Sequence, residues 1–229
     1  MKASGRNAIA IDTSGSFCSV AATDAAGHIT TASSVGSGDH FEQLPRIVEK
    51  VCADSGLAPE SFSEIRIGIG PGSFTGLRIG MSFAKGLAWS LRVPLVGYSS
   101  MAGAAAEAFA RYPSIDRVAV VADARRDEAF AGVYRRGLSV EEEVAPHIVG
   151  ASVVRESLGL DGATPVVSGQ IDFALLGVDV TAESEIARGL LGLKNVVMGG
   201  YKIEEIAVLE PTYLREVAAK TIEERKGKA

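Results

Sequence analysis

Two carboxylates and one glycine-dense loop are the residues of this sequence best placed to do chemistry. Asp12 closes the apolar run Ala8-Ile9-Ala10-Ile11, and Asp123 closes Val118-Ala119-Val120-Val121-Ala122. A carboxylate at the end of a buried strand can hold a metal–phosphate complex, activate a nucleophile, or accept the N–H groups of a turn. The loop is Ile67-Gly68-Ile69-Gly70-Pro71-Gly72-Ser73-Phe74-Thr75-Gly76-Leu77-Arg78-Ile79-Gly80. It passes from strand-like alternation into a helix-like segment, the usual setting of a phosphate loop.

Counting excludes the named versions of that chemistry. A Walker loop needs Gly-Lys-Ser/Thr after four residues, and the nearest lysine, Lys85, precedes Gly86. A dinucleotide fingerprint started at Gly68 ends on Ser73, and one started at Gly70 ends on Thr75. A hydrolase elbow needs serine at the centre, where Gly72-Ser73-Phe74-Thr75-Gly76 has Phe74. A structural tight turn is the better reading. The three histidines, His28, His40 and His147, include no pair at helical i, i+4 spacing, so no histidine metal site is expected. His40 reads as a helix-start or loop residue.

The chain around these residues has 229 residues, 47% hydrophobic, with net charge −5 and mean hydropathy +0.20. That length suits one large domain or two compact lobes. The acidic balance argues against a general nucleic-acid or membrane binder. Two cysteines, Cys18 and Cys52, with no Cys-x-x-Cys, suit buried thiols in a reducing compartment. The Ala8–Ile11 run is too short for a signal peptide, and no segment nears the ~20 apolar residues of a membrane span. A cytoplasmic protein is expected.

The elements that must position the carboxylates and the loop follow from hydrophobic periodicity. Strands are expected at 8–12, 16–23, 28–35, 65–70 and 94–98, with a turn at Asp24-Ala25-Ala26-Gly27. A helix running to about Ser55 carries Phe41, Leu44, Val48 and Val51, and Pro45 sets its regular start. A second helix follows the loop and ends near Arg92. The order is three strands, helix, strand, helix, strand: a meander followed by right-handed crossovers. The chain then begins again. Val118–Asp123 and Glu128–Tyr134 repeat the pattern of Ile9–Asp12 and Cys18–Ala22, with the boundary near residues 100 to 115. A strand at Val166-Val167 and a helix over 184–193 complete the second copy less clearly, and residues 216–229 form a terminal helix or a frayed tail.

This doubled α/β unit looks like the two-lobe actin/sugar-kinase/Hsp70 fold, with a first lobe over 1–103 and a second over 104–229 whose C-terminal end packs back on the first. Particular residues resemble one branch of it. Ile11-Asp12-Thr13-Ser14, His40-Phe41-Glu42, the Gly70–Gly80 block, Lys85-Gly86-Leu87-Ala88, Asp123-Ala124-Arg125-Arg126 and Pro211-x-Tyr213-Leu214-Arg215 match the TsaB (YeaZ) family. The resemblance implies a partner of TsaD in the machinery that places threonylcarbamoyl on the adenosine beside the anticodon of ANN-decoding tRNAs, with the ATPase TsaE completing the set. It implies a homodimer when the chain is alone, tRNA engaged only through the complex, no membrane, and no cofactor of its own beyond a nucleotide held at the joint with TsaD.

The same resemblance marks what is missing. TsaD carries a metal-binding His-x-x-x-His after its fifth strand, where this chain has Ser100-Met101-Ala102-Gly103-Ala104. Asp12-Thr13-Ser14-Gly15-Ser16 has Ser14 where the fold's phosphate loop has glycine, and the second lobe offers no adenosine loop apart from Gly199-Gly200. Structural roles are expected for Asp12 and Asp123, and a non-catalytic subunit for the whole. The competing readings are a phosphotransferase of this fold, which needs phosphate loops, and an M22-type metallopeptidase, which needs metal ligands.

The glycines then need a different account. Projected at about 100° per residue, Gly76, Gly80, Ala84 and Ala88 form a ladder of small residues beside Leu77 and Met81. The apolar arc covers about 220°, roughly double what packing on one surface needs. Glycine in a helix interior costs about 1 kcal/mol relative to alanine, so close packing must offset Gly80 and Gly86. A partner interface is expected at Phe41, Leu44, Val48, Gly76, Leu77, Gly80, Met81, Ala84 and Ala88. Arg78, Lys85 and Arg92 fall on the opposite face with Trp89 nearby, by default a solvated stripe.

Overall fold

The run Ala8-Ile9-Ala10-Ile11-Asp12 is buried at all five positions, so both of its faces must be covered. A computed structural model describes residues 6–34, 40–160, 166–169, 185–194, 197–201, 206 and 208–214. The elements are β1 (Ala8–Asp12), β2 (Ser19–Thr23), β3 (Ile29–Ser33), α1 (His40–Ser55), β4 (Glu64–Gly68), α2 (Phe74–Leu91), β5 (Leu95–Tyr98), α3 (Ser100–Arg111), β6 (Arg117–Arg125), β7 (Glu128–Arg136), β8 (Val140–Gly150), α4 (Val154–Ser157), β9 (Val166–Gly169), α5 (Ile186–Gly192) and β10 (Val197–Tyr201). The loop at Gly36–Gly38, residue Arg215 and the tail 216–229 lie outside the described residues.

Two sheets repeat one topology. The first runs β10-β5-β4-β1-β2-β3 and the second β8-β7-β6-β9. In the first, β1 pairs antiparallel with β2 and parallel with β4. In the second, β6 pairs antiparallel with β7 and parallel with β9. This is the duplicated mixed-sheet unit of the actin/sugar-kinase/Hsp70 architecture.

Different helices cover the two faces of the first sheet. Ile9, Ile11, Ile65 and Ile67 cluster with Leu44, Val48, Val51, Met81 and Ala84 of α1 and α2. On the other face, the smaller Ala10 and Ala21 cluster with Met101, Ala105, Ala187 and Leu190 of α3 and α5. That cluster continues into Val118, Val120, Phe130 and Tyr134 of the second sheet, so α3 and α5 lie between the sheets. α3 and α5 cross where Gly189 lies against the Gly103 carbonyl. Arg66 on β4 donates from Nη1 to the carbonyls of Leu190, Leu191 and Leu193 at 2.9–3.0 Å, satisfying the end of α5.

Several expected boundaries move. α1 begins at His40, with Pro45 inside it; within the first two turns proline removes one backbone bond while the apolar face still reaches the sheet. β2 starts at Ser19 rather than Ser16, because residues 13–16 form the loop described below. β8 was not expected; it is the longest strand among the described residues, with 11 residues. Residues 100–111 form the continuous helix α3. Gly199 and Gly200 fall in β10, which pairs with β5 and so joins the first sheet.

Candidate partner-docking site and the closed corner beside it

Asp12 sits at the corner where β1, the β4–α2 loop and α3 meet. Its Oδ1 accepts from the Ser14 backbone N–H at 3.0 Å and from Ser14 Oγ at 2.7 Å. Its Oδ2 accepts from Ser100 Oγ at 2.6 Å, and Ser100 Oγ in turn accepts from the Gly70 N–H at 3.1 Å. Burial pushes the Asp12 carboxyl above its usual range, against the Ser100 and Ser14 hydrogen bonds that hold it down. The carboxylate is thus a crosslink between three segments. Asp123 does a similar local job at the β6–β7 turn, where Oδ1 accepts from the Arg125 N–H at 2.6 Å. Ser100-Met101-Ala102-Gly103-Ala104 forms the first turn of α3 and is buried throughout.

The glycine loop is filled by the chain itself. Ser73 donates its N–H to the Ser14 carbonyl at 2.7 Å and caps α2 by accepting from the Gly76 N–H at 3.2 Å. Thr13 Oγ1 donates to the Gly76 carbonyl at 2.7 Å. A Cβ at Gly76 would overlap the Thr13 carbonyl, and one at Gly80 would overlap Thr13 Oγ1. The glycines let the β1–β2 loop lie directly on α2.

Most of the residues expected at a partner interface pack inside the chain. Gly76, Leu77, Gly80, Met81, Ala84 and Ala88 are buried within the chain, and so are Leu44 and Val48. Their ladder faces Thr13 and the first sheet. Of the nine expected residues only Phe41 is exposed, at 72%. It belongs to the first turn of α1, beyond the sheet that covers Leu44, Ile47, Val48 and Val51.

A different surface is available between the two helices. A groove of about 800 Å³ runs along α1 and α2, with Phe41, Leu44 and Pro45 on one side and Phe74, Ile79 and Phe83 on the other. Arg46, Glu42 and Arg78 are its charged lining. Sequence reasoning gave it only Phe41 and Leu44. The missed residues carry one signal: the apolar arc of α2 is wider than the sheet requires, and Ile79 and Phe83 are its surplus. The basic stripe divides. Arg78 joins the groove, Lys85 is half-buried, and exposed Arg92 ends α2 with φ 56°. Trp89 is 67% exposed.

Residues 34–221 match the family described as TsaD: tRNA N6-adenosine threonylcarbamoyltransferase. The chain is 27% identical over 206 residues to the tRNA threonylcarbamoyladenosine biosynthesis protein TsaB of Bacillus subtilis (strain 168), covering 82% of this chain and 86% of that protein. It superposes on YeaZ from Pseudomonas aeruginosa with a TM-score of 0.75 at 25% identity, covering 91% of this chain and all (100%) of that one. A crystal structure described as an uncharacterized protein with similarity to peptidase YeaZ from Pseudomonas aeruginosa gives 0.75 at 26% identity, over 92% and 100% of the two chains. Matched over most of its length, the chain belongs to the tRNA N6-adenosine threonylcarbamoyltransferase (TsaD) family, where TsaB and YeaZ are among the proteins it is similar to.

Proposed function

We propose that this chain is a non-catalytic scaffold subunit of the machinery that makes threonylcarbamoyladenosine in tRNA. In this reading it docks a catalytic subunit of the TsaD type through the α1–α2 groove, with Phe41 as the apolar anchor. The observation that carries the reading is the groove itself. It offers several apolar side chains and two exposed aromatic rims, Phe41 and Phe74 at 72% and 38% exposure, on the helices that the glycine loop sets in place. Large aromatics at the centre of a desolvated patch supply most of the energy of a typical interface. The Asp12 carboxylate is taken up by hydrogen bonds from Ser14 and Ser100, which supports a positioning role over turnover. TsaE would join through the complex, tRNA would be reached through it, and a lone chain would pair with a second copy. The setting is the cytoplasm. Among the described residues no helix is long and apolar enough to cross a membrane.

The test is a titration of a TsaD-type subunit into the full chain, followed by threonylcarbamoyl transfer to tRNA. Wild-type chain should bind and support transfer. Phe41→Asp should fold normally and lose binding by about tenfold or more. Normal binding and transfer with Phe41→Asp would place docking elsewhere. Steady ATP turnover by the chain alone, abolished in Asp12→Ala, would overturn the non-catalytic reading.

A further inference from the structure

Arg78 is held at the rim of the groove by a segment from the far end of the chain. Its Nε donates to Tyr213 Oη at 3.3 Å. Its guanidinium carbon lies 4.0 Å from the centroid of the Phe74 ring, and the Phe74 and Tyr213 rings are 5.2 Å apart at 42°. Tyr213 is itself anchored: the Thr212 N–H donates to the Ile69 carbonyl at 2.7 Å, and Leu209 is buried in the α1–α2 core. A guanidinium stacked on a ring, with Nε committed to a phenol, has lost much of its rotamer freedom before any partner arrives. Its two terminal amino groups keep the fork geometry that matches a carboxylate. Among the described residues no carboxylate pairs with them.

We infer that Arg78, positioned by Tyr213 and Phe74, recognises an acidic side chain on a helix of the partner that fills the α1–α2 groove. The inference rests on the docking reading and adds the chemistry of its recognition. Charge complementarity selects the occupant. The groove lining carries Arg46 and Arg78 against the single acid Glu42, so an apolar helix bearing a carboxylate at its edge fits, and one bearing a lysine there does not. Preorganisation makes the contact effective, because little side-chain entropy is left to lose on binding. Tyr213 is a positioning residue in this scheme; it acts through Arg78.

The experiment measures binding of the TsaD-type subunit to full-length wild type, Arg78→Gln, Arg78→Lys, Tyr213→Phe, the Arg78→Gln/Tyr213→Phe double variant and Phe41→Asp, at low and high salt. Arg78→Gln should weaken binding about tenfold or more and flatten its salt dependence. Arg78→Lys should recover only part of the loss, because a point charge cannot replace the fork. Tyr213→Phe keeps the ring and loses the hydroxyl; it should weaken binding less, and add nothing in the Arg78→Gln background. If Arg78→Gln binds like wild type while Phe41→Asp does not, the docking reading stands and this inference falls. If neither variant changes binding, both fall. An Arg78 effect seen only with added nucleotide assigns the guanidinium to a phosphate and overturns the carboxylate. An effect confined to self-association makes the occupant a second copy, and overturns it equally.

Discussion

Thr13 Oγ1 stands where a side chain at Gly80 would have to go. The hydroxyl is fixed there by its 2.7 Å bond to the Gly76 carbonyl. Gly80→Ala should therefore destabilise the lone chain, although alanine is the better helix former by about 1 kcal/mol. Gly80→Leu should cost more, about 2–3 kcal/mol, through overpacking and loss of the Thr13 bond. The decisive measurement is a double-mutant cycle by urea unfolding. Thr13→Ala removes the obstructing oxygen, so Gly80→Ala should become neutral or stabilising in that background. Additive effects would mean that Thr13 is not what the glycine accommodates.

Asp12 makes a second test of whether this corner is structural. Asp12→Asn keeps one acceptor oxygen but cannot take all three of the donors from Ser14 and Ser100. A buried donor left unsatisfied costs about 1–3 kcal/mol. The variant should melt earlier in a thermal scan. Well below its melting point it should still bind the TsaD-type subunit and support transfer as wild type does. An Asp12→Asn variant that is as stable as wild type but has lost transfer would point to chemistry at this carboxylate instead.

Much of this was readable from the residues. Continuous apolar runs gave β1 and β6, and their shared Asp ending gave the duplication. The failed phosphate spacings agree with a loop that Thr13 and Ser14 fill. What escaped has physical causes. Glu141, Glu142 and Glu143 hid β8, because a strand at a sheet edge with one solvated face tolerates charge that a buried strand does not. β10 joins β5 across about half of the chain, and no local pattern encodes such a pairing. The small-residue ladder was read correctly as a place of close approach. Its neighbour, a loop more than 60 positions upstream, cannot be read from helical periodicity. Tyr213 is similar: its motif was visible, but its contact with Arg78 spans 135 positions.

Glu107 predicts a pH dependence. It lies on α3 against α5, is 1% exposed, and neither carboxylate oxygen has a hydrogen-bond partner among the described residues. Arg188 and Arg111 approach Oε1 at 3.7 and 3.8 Å, while Glu185, paired with Arg111, adds negative charge. Burial is the largest influence and pushes the carboxyl up to about 7 from 4.5. A raised carboxyl binds its proton more tightly when folded, so its contribution is fully present below about 4.5 and is lost as pH rises through about 7. Glu107→Gln should remove that fall and stabilise the chain by about 1–3 kcal/mol near pH 8. Urea midpoints of both proteins across this range give the difference, in which other titrating groups cancel. A Gln variant that follows wild type at every pH would show that Arg111 and Arg188 keep Glu107 charged throughout.

Gly86 is the glycine of α2 that nothing among the described residues explains. A Cβ there meets none of their atoms within 4 Å, and the residue is exposed. Gly86→Ala should stabilise the lone chain by about 1 kcal/mol, the ordinary helix-propensity gain. Gly86→Leu should also fold without strain, because its side chain enters open space. Gly86 lies one turn beyond Ser82, which lines the groove with Ile79 and Phe83. If a partner helix continues along that line, its backbone can come closest where α2 has no side chain. Leucine would then hold the helices apart, and binding of the TsaD-type subunit should weaken about tenfold or more while the melting temperature of the lone chain does not fall. The pair of substitutions separates the two roles, since alanine tests the chain and leucine tests the interface. Unchanged binding with Gly86→Leu would confine docking to the Phe41–Phe83 part of the groove and leave Gly86 as a plain helix defect.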